Sequence, residues 1–320
     1  MSNGTIGIAV QEPDAAAALA AIERYDARGV PAAWLTTSGA GPDALTVFAA
    51  AAVRTRQILM GTSITPIYPR HPLAVVQQVS VIASLAPGRF RLGVGPSHQP
   101  AVETTYGIPF EAPLGHLREY LQVLRPALAE GAVDFDGRFY HAHARLAVPP
   151  APVPLMASAL RPNAFRLCGG LADGAITWLC PLPYVRDVAL PALREGAQRS
   201  GRAAPPLIAH VPFCVSTDAA AVRQAARAQL GGYPRLPYYA RMIADSGFPE
   251  ALQGTWSDAM IDGIVVHGDE RAVAAGLRAF LAAGAGELIA APIVTGDDRQ
   301  ASLDRAAAVL AGLASETTGR

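Results

Sequence analysis

A serine, a histidine and a glutamine directly follow a predicted strand, and they are the residues of this chain best placed to do chemistry. Residues 89–95 read R-F-R-L-G-V-G after a Pro-Gly turn, an alternating pattern that predicts a short buried strand. Ser97, His98 and Gln99 come at its carboxyl end, where proteins with parallel strands bind ligands. Gly95 would let a flat ligand approach the backbone, and the hydroxyl and imidazole would supply hydrogen-bond donors. The alternative is a polar loop with a surface histidine.

Two more candidate side chains stand at predicted strand ends. Glu12 follows the apolar run 5–10, where a partly desolvated carboxylate would act as an acid or anchor a substrate; a surface acid in a loop is the alternative. Trp178 ends the stretch G-A-I-T-W, and its ring would either form the wall of a site or fill the core. His141 and His143 would share one face of a strand, but the sequence offers no third ligand, so we expect no metal site.

The composition argues against a polyanionic partner. The 320 residues include 26 basic and 26 acidic side chains, for a formal net charge of +0, and every basic residue is an arginine. Proteins that bind nucleic acid usually carry a basic face, so we expect no nucleic-acid partner. The three cysteines form no C-x-x-C motif, which is typical of reduced thiols. Since no leader pattern and no uninterrupted apolar span stands out, we expect a cytoplasmic protein without a membrane partner.

Strand and helix patterns alternate along the chain at a steady spacing. The predicted strands cover 5–10, 33–35, 58–65, 89–95, 154–158, 174–178, 207–215 and 287–291. Helical patterns separate them, and Asp14, Asp43, Asp218 and Asp269 are predicted N-caps. Eight such repeats predict an α/β fold, a (β/α)₈ TIM barrel formed by residues 1–320 as a single domain. No G-x-G-x-x-G follows the first strand, which counts against a dinucleotide-binding fold.

Two segments interrupt the repeat and are predicted insertions, near residues 131–150 and 231–263. The first contains Asp136-Gly137 between alternating residues, which predicts a β-hairpin. The second contains G-G-Y-P-R-L-P-Y-Y, a semi-rigid aromatic loop that would either cover a substrate pocket or pack on the barrel.

Five motifs, taken in order, resemble those of the luciferase-like monooxygenase superfamily. They are G-T-S-I-T-P-I-Y-P-R-H-P (61–72), R-F-R-L-G-V-G-P-S-H-Q (89–99), H-L-R-E-Y-L-Q-V-L-R-P-A-L (116–128), P-L-M-A-S-A-L-R-P-N-A-F-R-L (154–167) and L-A-D-G-A-I-T-W (171–178). The branch that the chain resembles most is the oxidoreductases that use the deazaflavin coenzyme F420. The resemblance implies a bacterial luciferase-like barrel, a small-molecule substrate and a homodimer.

The resemblance also implies where the cofactor would lie. The family has a bulge after strand three, often with a non-prolyl cis peptide against the cofactor ring, and here it would fall at Ser63-Ile64. Gly95, Ser97 and His98 would flank the ring, and Trp178 would contact it.

The cofactor phosphate would lie at the start of the fifth predicted helix, because a helix N-terminus binds anions. The resemblance assigns it to the loop formed by Ala157, Ser158, Ala159, Leu160 and Arg161. Asp173, Gly174 and Ala175 would complete this phosphate cradle.

The chain departs from its relatives at three places. Many relatives have a small residue where Arg161 stands, so the arginine would either pair with the phosphate or crowd the loop. Residues 36–38 are T-T-S, where many deazaflavin relatives carry an acid or a histidine. Pro96-Ser97 replace a glutamate found in some relatives, which leaves His98 as the nearest titratable group.

These observations predict hydride transfer between reduced F420 and a small organic substrate, either an activated C=C or C=N bond or an alcohol or carbonyl. His98 would act as a general acid or as a neutral donor to the cofactor ring, with Ser97 and Glu12 as the other catalytic candidates. The alternatives are an FMN-dependent monooxygenase on the same barrel and a non-catalytic flavin- or deazaflavin-binding protein.

Overall fold

Eight parallel strands close into a barrel, as the sequence predicts. The computed structural model describes residues 4–147 and 149–318. The strands are β1 (Thr5–Ala9), β2 (Ala32–Leu35), β3 (Leu59–Thr62), β4 (Thr65–Pro66), β5 (Phe90–Gly95), β6 (Ala132–Asp136), β7 (His141–Arg145), β8 (Leu155–Ser158), β9 (Gly174–Ile176), β10 (Leu207–Val215), β11 (Val266–Gly268) and β12 (Glu287–Pro292). The barrel order is β1-β2-β3-β5-β8-β9-β10-β12, and β12 pairs with β1 to close it. All eight carboxyl ends therefore surround one mouth.

Helices surround the barrel and return the chain between parallel strands. They are α1 (Ala15–Ala27), α2 (Ala44–Arg54), α3 (Pro72–Leu85), α4 (Gln99–Tyr106), α5 (Pro113–Glu130), α6 (Pro162–Leu171), α7 (Leu182–Tyr184), α8 (Leu190–Arg199), α9 (Ala219–Leu230), α10 (Pro237–Asp245), α11 (Asp258–Ile264), α12 (Glu270–Ala282) and α13 (Arg299–Thr318). A π-helical turn, Val185–Ala189, joins α7 to α8. Each of the four aspartates predicted as N-caps accepts a hydrogen bond from a backbone N–H of its helix.

Side chains fill the barrel interior below the mouth. Trp34 is fully buried, and a Cβ at Gly61 on the next strand would lie 2.5 Å from its ring, so only glycine fits there. Beneath this ring Arg91 of β5 pairs with Glu287 of β12, and its guanidinium carbon lies 4.5 Å from the Trp34 ring centroid. Trp34 thus separates the mouth from a buried ion pair at the amino end of the barrel.

Both predicted insertions are seen as separate structural features. β6 and β7 form an antiparallel hairpin outside the barrel, with Asp136 opposite His141. The second insertion is helical: the 3₁₀ turns Tyr233–Arg235 and Pro249–Gln253 alternate with α10 and α11. We call residues 231–253 the mouth segment, because its first half lines the cavity described below.

The structure adds elements that the sequence patterns do not predict. α4 follows β5 directly, and β11 pairs with the carboxyl half of β10 outside the closed barrel. Within the part of the chain that the structure describes, no helix combines the length and apolar character that a membrane span requires.

Candidate active site

The barrel mouth opens into a cavity of about 680 Å³. The wall of this cavity is formed by residues that follow six barrel strands and by the first half of the mouth segment; the strands are β1, β2, β3, β5, β8 and β9. Trp34 forms the floor of the cavity. The structure brings together there the predicted residues Glu12, Ser63, Ile64, Ser97, His98, Ser158, Ala159, Leu160, Arg161 and Trp178. A cavity of this size is large enough to bury a drug-sized ligand.

The predicted bulge lies between β3 and β4, and the Ser63–Ile64 peptide bond is cis. The end of β2 supports it. The Thr36 hydroxyl donates to the Ser63 carbonyl oxygen at 2.5 Å, and the Thr37 N–H donates to the Ile64 carbonyl oxygen at 3.2 Å. The threonines that replace the family's acid or histidine therefore hold the bulge in place.

Gly95 lies between the bulge and the end of β8. A Cβ there would lie 2.1 Å from Ser158 Oγ and 3.3 Å from Ile64 Cγ1. Gly95 does not itself line the cavity, but two residues that do so pack directly over it. The glycine is therefore needed for close packing beneath the cavity wall.

His98 is half-buried at the N-cap position of α4, and its side chain does not cap the helix. Its ring makes edge contacts with Tyr233 and Tyr239 of the mouth segment, each with 5.5 Å between ring centroids. Among the described residues, no protein group hydrogen-bonds to either ring nitrogen. Burial lowers the pKa of His98, which favours the neutral imidazole near pH 7. Both nitrogens therefore remain available to a ligand.

A second histidine, His210 of β10, also lines the cavity, although its sequence context does not mark it as a site residue. Its side chain is 7 % exposed and contacts the ring of Trp178 at a centroid distance of 4.3 Å. Nε2 of His210 is buried without a hydrogen-bond partner in the described structure. Burial lowers its pKa to about 3, so this imidazole is neutral at physiological pH.

Glu12 extends into the cavity wall from the end of β1. Its side chain is only 10 % exposed, and its carboxylate oxygens lie 3.9 Å from Arg24 Nη2 and 3.8 Å from Arg299 Nη2. The two arginines partly neutralise this carboxylate.

The β8–α6 loop supplies the expected anion-binding position in part. The Ala159 N–H already donates to Ile176 O, and Ala157 is fully buried beneath the cavity. In the described structure no protein acceptor meets the backbone N–H groups of Leu160 and Arg161. The Arg161 guanidinium pairs with Asp245 of α10 at 2.7 Å, which ties this loop to the mouth segment.

The assignment of Asp173, Gly174 and Ala175 to the phosphate cradle is wrong. Asp173 precedes β9, so it lies at the amino end of the barrel, opposite the mouth. Its carboxylate accepts hydrogen bonds from the Leu155 N–H at 3.0 Å and from Arg125 at 2.8 Å. Gly174 packs against Met156 within the barrel, and Ala175 is fully buried.

A family model described as luciferase-like monooxygenase matches residues 2–287. The chain belongs to the luciferase-like monooxygenase family. One relative, a protein of Beutenbergia cavernae named F420-dependent glucose-6-phosphate dehydrogenase, is 35% identical over 195 residues, which are 58% of this chain and 57% of the relative. The aligned part is thus little more than half the length of that curated relative.

Solved structures confirm the luciferase-like fold. An F420-dependent secondary alcohol dehydrogenase, solved with an F420–acetone adduct, superposes with a TM-score of 0.81 at 19% identity, over 96% of this chain and 98% of that one. The oxygenating constituent of 3,6-diketocamphane monooxygenase from Pseudomonas putida, solved with FMN, superposes with a TM-score of 0.73 at 14% identity, over 98% and 97%. Luciferase-like barrels with either cofactor thus share this fold.

Proposed function

We propose that the protein is an F420-dependent oxidoreductase that transfers a hydride between the deazaflavin and a small organic substrate. Relatives named as F420-dependent enzymes support this choice of cofactor. The observation that carries the proposal is the cavity at the mouth. The Ser63–Ile64 bulge forms one wall, and backbone N–H groups of the β8–α6 loop have no acceptor among the described residues. These features fit a flat ring linked to a phosphate.

Different residues would contact the ring and the phosphate of such a cofactor. The bulge and His98 would bound its ring, and the N–H groups of Leu160 and Arg161 would hold its phosphate. When bound, a reduced deazaflavin supplies a hydride, and this carbon-centred carrier reacts poorly with oxygen. Trp178, Tyr233 and Tyr239 enclose the cavity and would exclude water from the reaction.

His98 is the group we propose for proton transfer. Its neutral imidazole faces the cavity and has no hydrogen-bond partner among the described residues, so it can accept the hydroxyl proton of an alcohol as the hydride leaves carbon. In the reverse direction the protonated ring returns that proton to the carbonyl oxygen.

Fluorescence titration with oxidised F420 and, separately, with FMN tests the proposal. We expect micromolar or tighter binding of F420 and at least tenfold weaker binding of FMN. Preference for FMN would indicate a monooxygenase instead, and binding of neither would contradict a cofactor site at the mouth. F420 binding without turnover of any alcohol, ketone or activated alkene would indicate a binding protein.

A matched pair of glycine variants locates the cofactor. Gly95→Ala pushes on Ser158 and Ile64, so we expect at least tenfold weaker F420 binding. Gly170→Ala adds the same methyl group in the last turn of α6, against Ser200, and should leave affinity unchanged. Equal affinity in both folded variants would contradict the placement of the ring beside the bulge.

A further inference from the structure

The cavity carries few charged side chains, and most of them already have partners. The described lining includes Glu12, Asp14, Arg161 and Arg235, two acids and two bases. Asp14 caps α1 through the Ala17 N–H, and Glu12 lies between two arginines. Arg161 pairs with Asp245. Of the two bases, only Arg235 lacks an ionic partner in the described structure, and it is exposed at the rim.

Bound cofactor would pair with the remaining positive groups of the cavity. F420 brings its own phosphate and an acidic tail, and the candidate groups for these are the β8–α6 loop, Arg161 and Arg235. His98 and His210 add no charge near pH 7, because burial keeps both imidazoles neutral. A second anion in the cavity would therefore be desolvated without a counter-ion, which is strongly unfavourable.

The rest of the wall is uncharged near pH 7, and aromatic and apolar side chains lie beside polar ones such as Thr36, Ser97 and Gln99. Tyr233 and Tyr239 pack at a centroid distance of 4.8 Å, and Trp178 lies 6.0 Å from Tyr233. Two large side chains of the lining, Leu114 and Tyr238, are 37% and 59% exposed at the rim. Exposed apolar side chains beside a cavity are typical of a ligand-binding surface.

We propose that the substrate is an uncharged molecule with an apolar ring, bound against Trp178, Tyr233 and Tyr239, and not a phosphorylated sugar. This inference rests on the proposed function, because bound F420 is the group that would occupy the remaining positive groups of the cavity. It separates this chain from its relatives named as glucose-6-phosphate dehydrogenases, whose substrate by name carries a phosphate.

A matched pair of ligands tests the inference by calorimetry, with and without F420. The methyl ester of cyclohexanone carboxylic acid and the free carboxylate share one ring and differ in charge. We expect the ester to bind at least tenfold more tightly at pH 7. Equal affinity, preference for the carboxylate, or binding of neither in the F420-loaded protein would overturn the inference.

A positive charge added at the rim of the cavity provides a second test of the inference. Tyr238→Arg should raise the affinity for the carboxylate at least fivefold, whereas Tyr238→Gln, which removes the same exposed ring without adding charge, should not. An equal effect of both variants would contradict charge as the cause.

Turnover separates this inference from the proposed function. In the F420-loaded protein, glucose 6-phosphate should give less than a hundredth of the kcat/KM of the best uncharged ketone or alcohol. Efficient oxidation of glucose 6-phosphate would overturn the substrate class and leave F420-dependent hydride transfer standing. Absence of F420 binding would overturn the proposed function and the charge argument together, whereas F420 binding with preference for the carboxylate would overturn the substrate class alone.

Discussion

Gly174 shows how a single residue can be assigned to the wrong end of a barrel. A Cβ at this position would lie 2.4 Å from Met156 Sδ and 2.9 Å from Ile208 Cδ1, both within the barrel. Gly174→Val should therefore reduce the free energy of unfolding by about 1–3 kcal/mol through overpacking and leave F420 affinity unchanged. Urea unfolding and fluorescence titration of the same preparation check this. Weaker F420 binding at unchanged stability would return Gly174 to the cofactor site.

The burial of neutral His210 leads to a specific prediction about the free energy of unfolding at acidic pH. Its pKa is about 3 in the folded protein and near 6.5 in the unfolded chain, so below pH 6.5 only the unfolded state takes up the proton. The wild type should lose about 1.4 kcal/mol of stability per pH unit from this group. His210→Gln lacks that loss, so the stability of the wild type relative to the variant should fall by about 2 kcal/mol between pH 6.5 and pH 5.

Urea unfolding at the two pH values measures this difference. His141→Gln, at an exposed position of the hairpin, is the control, and its stability should follow that of the wild type. A constant difference between wild type and His210→Gln would show that the imidazole is hydrated or charged in the folded state.

Only some of the residues that line the site can be predicted from the sequence. Ser97 and His98 follow a strand that glycine and proline end clearly, so their position at the mouth is readable. Strand 207–215 is apolar on both faces, because a parallel strand is covered on both sides. Its pattern therefore gives no sign that His210 faces the cavity. Asp173 is different: it precedes its predicted strand, and that order alone places it at the opposite end.

At the scale of elements, local chemistry determines what the sequence predicts well. The bounds of β10 agree with the predicted strand 207–215, since an apolar run marks it, and the four aspartates predicted as N-caps all cap helices. α4 is missed because it is short and begins directly at the polar loop after β5. The mouth segment is predicted as an insertion but not as helices, because its packing partners lie on distant strands.

Few hydrogen bonds anchor the mouth segment in the described structure, so the loss of one of them should be measurable as faster hydrogen exchange. Trp256 Nε1 donates to the Gly231 carbonyl oxygen at 2.9 Å at the start of the segment. Trp256→Phe removes this bond and keeps most of the ring, so amide hydrogens of residues 231–245 should exchange at least tenfold faster. Hydrogen exchange with mass spectrometry checks this, and peptides from the barrel strands are the internal control. Unchanged exchange in the mouth segment would show that side-chain packing alone holds it.

At the scale of the whole molecule, the Arg91–Glu287 pair links β5 to β12 inside the barrel. The two side chains are 12% and 9% exposed, and burial raises the pKa of Glu287 although Arg91 opposes this. Glu287→Gln leaves a buried guanidinium without its counter-charge, so we expect a loss of about 3–5 kcal/mol of stability. The double variant Arg91→Met with Glu287→Leu should recover most of that loss.

Denaturant unfolding of the single and double variants checks this coupling. Arg186→Gln, which breaks an exposed ion pair with Asp187, is the control and should leave the unfolding midpoint unchanged. A double variant as unstable as Glu287→Gln would show that the pair itself, and not the uncompensated charge, stabilises the barrel.

The homodimer expected from the family resemblance remains a prediction. Val53, Val81 and Leu85, on the outer helices α2 and α3, are 62%, 51% and 45% exposed.

The mouth segment also bears on how barrels of this family diversify. It supplies Tyr233 and Tyr239 to the cavity wall, and the Trp256–Gly231 hydrogen bond and the Arg161–Asp245 ion pair tie it to its surroundings. The buried cluster around Trp34 inside the barrel does not include it, whereas Tyr239, Met242 and Ile243 of the segment are buried in the larger core. Selection can therefore vary the cavity-facing side chains of this one stretch of chain and reshape the wall, while the bulge, the β8–α6 loop and the interior cluster around Trp34 are inherited intact.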